Sequence, residues 1–363
     1  RHKNTDNFWE NFSKSLVMST TSSKSSTYIA SLELGRVVAI LAIIGLHCQM
    51  ALSYALIDEV PWVGYTLNQA ARFAVPLFFL ISGYLIQPKL TCSPWETLIN
   101  YSKPLLKVWL AWSIISLLMP FNLGKVMEVG YLAEREGYWG FLMSTPLNSL
   151  FEGGLVHLWF IPALICAVAI LALLIEMKLT KAILPLALVL YLYGILAGSY
   201  APLTEWEAPI FTRNGPFFST LLVAVGFMIR QNSWRLTSMQ SIAMAVLGMA
   251  IHFGEAAWLM GYDVAFNIND FLAGTALWGI GVFMWLLANP TVGDKRWIQA
   301  ISSRMLGIYV SHLLLIIVMF NICGMLGITG LSKDVLTYSM TIILSFGLVV
   351  VLEKSPLRSV LLR

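Results

Sequence analysis

Residues 36–50 read RVVAILAIIGLHCQM, with ten residues between Arg36 and His47. An imidazole takes up and returns a proton near neutral pH. A guanidinium stays charged and grips carboxylate or phosphate oxygens. On a helix, eleven steps of about 100° end about 20° past three full turns, so both side chains point the same way. They stand about 16 Å apart along the axis. Glu33, three residues before Arg36, can pair with it and fix its direction. The pattern suits a base past the membrane midplane and a cation orienting an anionic substrate at the helix entrance. It also suits a snorkelling arginine and a histidine bonded to a neighbouring helix.

Three further stretches hold polar groups where an apolar chain does not need them. In RFAVPLFFLISGYLI, residues 72–86, Arg72 lies near one end of a helix, Pro76 is expected to free a carbonyl one turn back, and Ser82-Gly83 permits close helix contact. In FEGGLVHLWFIPALI, residues 151–165, Glu152 and His157 converge at a helix start, ahead of Trp159. In SSRMLGIYVSHLLLI, residues 302–316, Tyr309 and His312 are three apart and share a helix face. His47 and Arg36 are thus the candidate catalytic residues. Arg72, Ser82, Glu152, His157, Trp159, Tyr309 and His312 are candidates for substrate binding. His252 has weaker company and reads as structural.

These residues must be positioned by a membrane scaffold. The 363-residue chain is 58% hydrophobic and 12% charged, with mean hydropathy +0.75. A soluble domain carries about twice that share of charge, so a single soluble core is excluded. Ten apolar segments are legible, near 36–56, 69–88, 104–121, 158–177, 182–199, 215–231, 237–254, 270–289, 305–326 and 335–352. Each is long enough, or nearly so, to cross about 30 Å of hydrocarbon as a helix. The predicted fold class is all-α, a polytopic membrane protein of about ten transmembrane helices. With the N-terminus cytoplasmic, 18 of the 23 Lys and Arg residues fall on the inner side. Arg72, Lys125, Arg135, Arg213 and Lys333 fall on the outer side. The positive-inside rule then puts both termini in the cytoplasm. Residues 1–30 read as a polar, disordered cytoplasmic segment, 31–353 as the membrane domain and 354–363 as a short cytoplasmic tail. Cys48, Cys92, Cys166 and Cys323 show no metal or disulfide spacing, so no metal is expected. The net charge of +4 is small, and no nucleic-acid partner is expected.

The Arg-x10-His spacing, RFAVPLFFLISGYLI, HLWFIPALI and LGIYVSHLLLI, in that order, together resemble the integral-membrane acyltransferase-3 family over about residues 30–350. The resemblance implies a ten-helix enzyme of the bacterial inner membrane. It implies transfer of an acyl group, usually acetyl from acetyl-CoA, to a hydroxyl of a cell-surface or lipid-linked carbohydrate. The family's paired Arg and His correspond to Arg36 and His47, and its second-helix arginine to Arg72. The length points to a stand-alone polysaccharide O-acetyltransferase, without the extra hydrolase-like domain of some members. Lys89, Lys103, Lys107, Arg230, Arg235, Lys295 and Arg296 are available to hold phosphates on the inner side. Direct attack of the hydroxyl and relay through an acyl-histidine at His47 remain open. The alternative is a transporter or flippase of a lipid-linked saccharide, a class that favours inverted repeats and interrupted helices; neither is legible in the sequence. A non-catalytic scaffold has little use for His47 and Arg72 at depth.

Overall fold

The computed structural model describes residues 28–54 and 56–362. The disorder expected for residues 1–30 falls mostly on residues 1–27, outside the described residues; from Ala30 the chain is helical. The described residues hold helices and one isolated β-bridge, Ile57 to Val60. The all-α expectation is met.

Seventeen α-helices follow in chain order: α1 (Ala30–His47), α2 (Trp62–Ala70), α3 (Ala74–Cys92), α4 (Pro94–Leu118), α5 (Leu123–Val129), α6 (Tyr131–Ser144), α7 (Pro146–Glu152), α8 (Phe160–Glu176), α9 (Ile183–Leu196), α10 (Ala201–Thr204), α11 (Pro216–Gln231), α12 (Ser238–Leu259), α13 (Ala273–Ala288), α14 (Arg296–Ser302), α15 (Met305–Met325), α16 (Gly330–Glu353) and α17 (Arg358–Leu361). Each of the ten apolar segments overlaps one of these, and the second overlaps two, α2 and α3. Among the described residues, six spans are long and apolar enough to cross a membrane: Ala30–His47, Trp62–Cys92, Val156–Glu176, Ser238–Tyr262, Met305–Met325 and Gly330–Glu353. Pro94–Leu118 and Leu123–Val129, bent by 45°, make a seventh if counted as one. Thr180–Leu196, Pro216–Gln231 and Ala273–Ala288 are apolar but shorter.

The structure departs from the sequence reading at two places that shape the site. The first segment was expected to run to residue 56, yet α1 stops at His47, so the imidazole ends a helix rather than lying inside one. The second lies within one span, Trp62–Cys92, that starts earlier than expected and carries a three-residue turn at 71–73 between α2 and α3. Pro76 sits in the first turn of α3, where a missing N–H costs no intrahelical bond, so it frees no carbonyl. Arg72 lies in that turn.

Helix α3 runs through the centre. Leu77, Phe79, Leu80 and Ile81 are almost wholly buried, as expected of a helix apolar on every side. It crosses α11 through reciprocal glycines: Gly83 lies against the Val223 backbone, and Gly226 against that of Leu80. A Cβ at either would collide with main chain. This gives Ser82-Gly83 the close-packing role expected of it.

One end of the bundle gathers the basic segments. Ser31 donates its N–H to Pro290 at 3.2 Å, Arg304 pairs with Glu353 at 2.8 Å, and Arg230 donates to the Tyr84 carbonyl at 3.1 Å. The segment expected to be a tail is largely ordered here: α17 packs on α4, Trp112 donates to the Leu361 carbonyl at 3.0 Å, and Leu362 is buried beside Gly307. His47, Arg72, Glu152 and Arg213 lie at the opposite end. There α5, α6 and α7 fill what read as a loop.

Candidate active site

The turn after His47 is held from outside the helix. Gln49 and Ala51 take left-handed conformations (φ 54° and 59°), unusual for residues with a Cβ. The Asp334 carboxylate, 2% exposed on α16, accepts the Ala51 N–H at 2.6 Å. Tyr338, one turn further along α16, donates to the Leu41 carbonyl at 3.3 Å. Two side chains of α16 therefore fix the end of α1. Cys48, fully buried, packs in the core.

Three imidazoles meet at this level. The His312 ring centroid lies 5.3 Å from that of His47 and 5.0 Å from that of His157. His157, 1% exposed, bonds the Val310 carbonyl through Nε2 at 3.1 Å. His312, fully buried, bonds the Tyr309 carbonyl through Nδ1 at 2.5 Å. A carbonyl only accepts, so these nitrogens carry the protons. That leaves lone pairs on His157 Nδ1 and His312 Nε2, both buried and without a protein partner. Tyr309 donates its hydroxyl to the His157 carbonyl. His47, partly buried, borders a cavity together with His157.

Beside the imidazoles runs a four-charge chain. Arg72 pairs with Asp270 at 2.9 Å, Asp270 with Arg213 at 2.8 Å, and Arg213 with Glu152 at 2.6 Å. Arg72 also donates to Asn68 Oδ1 at 3.0 Å and to the Asn267 carbonyl at 3.2 Å. The Nε–H groups of Arg72 and Arg213 are buried and have no protein partner.

Four cavities that share lining residues in sequence, here called a string, run past these groups. At the basic end, a cavity of about 420 Å³ is lined by Lys89 and Tyr101 among others. Tyr101 also lines a cavity of about 200 Å³ that holds Arg36, Ser82, Ile43, Val75 and Tyr309. The last three also line a chamber of about 170 Å³ with His47, Arg72, His157 and Trp159. Arg213 and Asp270 line that chamber and also an outer pocket of about 460 Å³. His47 lines the chamber that shares Ile43, Val75 and Tyr309 with the cavity of Arg36.

Seven of the nine candidates line this string: Arg36 and Ser82 one half, His47, Arg72, His157 and Trp159 the other, and Tyr309 both. Arg36 is oriented by Glu33 at 3.1 Å, as expected from their spacing, and Ser302 holds Glu33 in turn. Ser82 spends its hydroxyl proton on the Phe78 carbonyl at 2.8 Å. Two candidates line none of these cavities. Glu152 reaches the chamber only through Arg213, and His312 stands behind His47 and His157, so both are placed to position other groups. Arg213 and Asp270 went unnoticed in the sequence as site residues. Their signal was a charge just before an apolar helix, in TRNGP and NINDFLAG. Of the basic residues considered for phosphate, Lys89 lines the cavities and Arg230 is committed to Tyr84.

A family model described as acyltransferase domain matches residues 29–354. Among curated proteins, a serine/alanine racemase of Enterococcus gallinarum is 27% identical over 247 residues, 63% of this chain and 33% of the racemase. An amino-acid racemase of Enterococcus faecalis is 25% identical over 242 residues, covering 63% and 32%. A further amino-acid racemase of Enterococcus faecalis is 24% identical over 334 residues, covering 87% and 44%. The chain thus spans about a third to under half of the length of these relatives. No solved structure matches. The imidazole cluster, the paired Arg36 and the helical membrane scaffold agree with the family match: the chain belongs to the acyltransferase-3 family of membrane acyltransferases.

Proposed function

We propose that this protein moves an acetyl or other short acyl group from acyl-CoA to a hydroxyl of a cell-surface or lipid-linked carbohydrate. It works as a ten-span protein of the bacterial inner membrane with both termini in the cytoplasm. The observation that carries this reading is the row of cavities between the two ends of the bundle, neighbours sharing lining residues, with His47 and His157 lining one of them. Acyl-CoA enters at the basic end, and its phosphates lie near Lys89. The pantetheine arm runs past Arg36 and Ser82 toward Tyr309. The acceptor comes from the opposite end.

His47 removes the proton from the acceptor hydroxyl as that oxygen attacks the thioester carbonyl. A C–O bond forms, the C–S bond breaks, and the proton passes to the departing thiolate, giving the ester and free CoA. The guanidinium of Arg72 borders the same chamber and stabilises negative charge that develops there. His312, its ring centroid 5.3 Å from that of His47, packs against the working ring and orients it for proton transfer, the task of the third member in nucleophile–base–orienter systems.

The test is donor binding followed by product. Acetyl-CoA at a hundredfold excess over its Kd should stabilise the purified protein by about 2.7 kcal/mol. Mass spectrometry of surface glycans should lose an acetyl mass when the gene is deleted. No stabilisation and unchanged glycans overturn the assignment.

The turn at Arg72 inside the Trp62–Cys92 span is the feature a second reading would use, since transporters build sites where helices are interrupted. Passage of a small polar solute, such as the amino acids in the relatives' names, would then replace transfer. Solute flux in proteoliposomes without response to acetyl-CoA selects it.

A further inference from the structure

We infer that a groove of about 500 Å³ between α1, α14, α15 and α16 binds one anionic phospholipid, with an acyl chain along α1 and the phosphate at Lys295 and Arg296. The site is separate from the string and does not depend on acyl transfer.

The groove begins in the sequence of α1. Val37, Ile40, Leu41 and Ile44 fall at i, i+3, i+4 and i+7, one face of a helix. At about 100° per residue, that face lies about a quarter turn from the one that carries Arg36 and His47. All four line the groove, which shares no lining residue with the string. Helix α1 therefore borders a space on each of two faces, one polar and one apolar.

Polarity selects the tail. Apart from the Trp297 indole and the Ser345 hydroxyl, every side chain of the lining is hydrocarbon. Ser345 donates to the Thr341 carbonyl at 2.6 Å, so its proton is engaged. A buried water needs about three polar partners, and a polar ligand here would lose its hydrogen bonds. From Val37 to Ile44 the groove follows α1 for about 10 Å. One leaflet contributes about 15 Å of hydrocarbon. An acyl chain of the leaflet at the basic end fits this length and this chemistry.

The rim selects the head. Trp297 lines the groove and is 58% exposed, the placement of an indole at headgroup level. Lys295 and Arg296 precede it, both exposed and without a salt bridge among the described residues. The Arg304 guanidinium carbon lies 5.5 Å from the Phe346 ring centroid, and Arg304 donates to the Ala300 carbonyl at 2.8 Å; Phe346 and Ala300 both belong to the lining. Against these three cations stand Glu353, paired with Arg304 at 2.8 Å, and Asp294, which accepts from Gln299 at 3.1 Å. The rim thus keeps a net positive charge. Basic groups beside a cleft between helices recruit anionic headgroups, and a guanidinium can grip two phosphate oxygens at once. Topology alone calls for cations at this end, but it does not call for a groove beside them.

The test is native mass spectrometry of the full chain, purified free of lipid and given dioleoylphosphatidylglycerol or dioleoylphosphatidylcholine. One phosphatidylglycerol should stay bound under conditions that remove phosphatidylcholine. The double variant Lys295→Gln, Arg296→Gln should weaken that retention about 30-fold, about fivefold per cation. Ala300→Phe fills the groove without touching a charge and should abolish it. Equal retention of the two lipids overturns the assignment, as does undiminished retention of phosphatidylglycerol in either variant. Inorganic phosphate that raises the melting temperature as far as phosphatidylglycerol does also overturns it, by making the rim an ion site. So does a dimer in phosphatidylcholine micelles that Ala300→Phe dissociates, which gives the groove to a second copy. If Ala300→Phe does not fold, the double variant, altered only at exposed positions, decides alone.

Discussion

His252 and the cluster of His47, His157 and His312 are both buried among helices near the same end of the bundle, yet they are finished differently. His252 Nε2 meets Gln69 Oε1 at 2.9 Å and its Nδ1 meets Thr275 Oγ1 at 2.8 Å. Thr275 Oγ1 in turn accepts the Leu272 N–H at 2.7 Å. Every polar atom of that ring is used, and it borders none of the four cavities of the string. His157 and His312 each spend one nitrogen on a carbonyl and keep the other free. Depth alone therefore does not mark a working histidine. What marks it is an unspent nitrogen beside space a substrate can enter.

Four substitutions test that contrast. His47→Ala should reduce acetyl transfer by roughly 10²–10⁴-fold, the usual worth of a general base, with expression and fold intact; normal acetylated glycan in that variant removes the catalytic assignment. His312→Ala should lower turnover by about tenfold through loss of the ring contact that orients His47, and displace the acid limb of the pH–rate profile. A drop in yield with an unchanged profile would make His312 a packing residue like His252. Arg36→Ala should raise the acetyl-CoA concentration needed for half-maximal rate about tenfold and leave acceptor dependence alone; equal rates across donor concentrations end its donor role. His252→Ala should cost about 1–3 kcal/mol of stability in denaturant titrations while activity per folded molecule is kept. A loss of turnover there would erase the distinction.

Much of this was legible from residue types and spacing. Helical periodicity put Arg36 and His47 on one face, and Ile43, between them on that face, lines the wall where the two halves of the string meet. Arg72, His157 and Tyr309 declared themselves as polar groups in apolar runs. The partners they meet did not. Arg213 and Asp270 are 57 residues apart and come from two connecting loops, where charge is unremarkable. The end of α1 at His47 was hidden because Cys48, Met50 and Ala51 continue the apolar run; only the carboxylate of Asp334 and the left-handed residues stop it. Arg135 shows the opposite case. Counted as an outer cation, it is fully buried, paired with Glu134 at 2.5 Å and set over the Phe121 ring at 4.3 Å, a charge that holds α6 in place.

The hydrogen bond that the Ala51 N–H donates to Asp334 ties the His47 turn to α16, whose Val335, Ile343 and Val351 are exposed on the bundle surface. A helix answers a thicker or thinner bilayer by changing its tilt. Turnover should consequently follow the acyl-chain length of the host phospholipids, making the composition of the membrane a control on the chemistry performed within it.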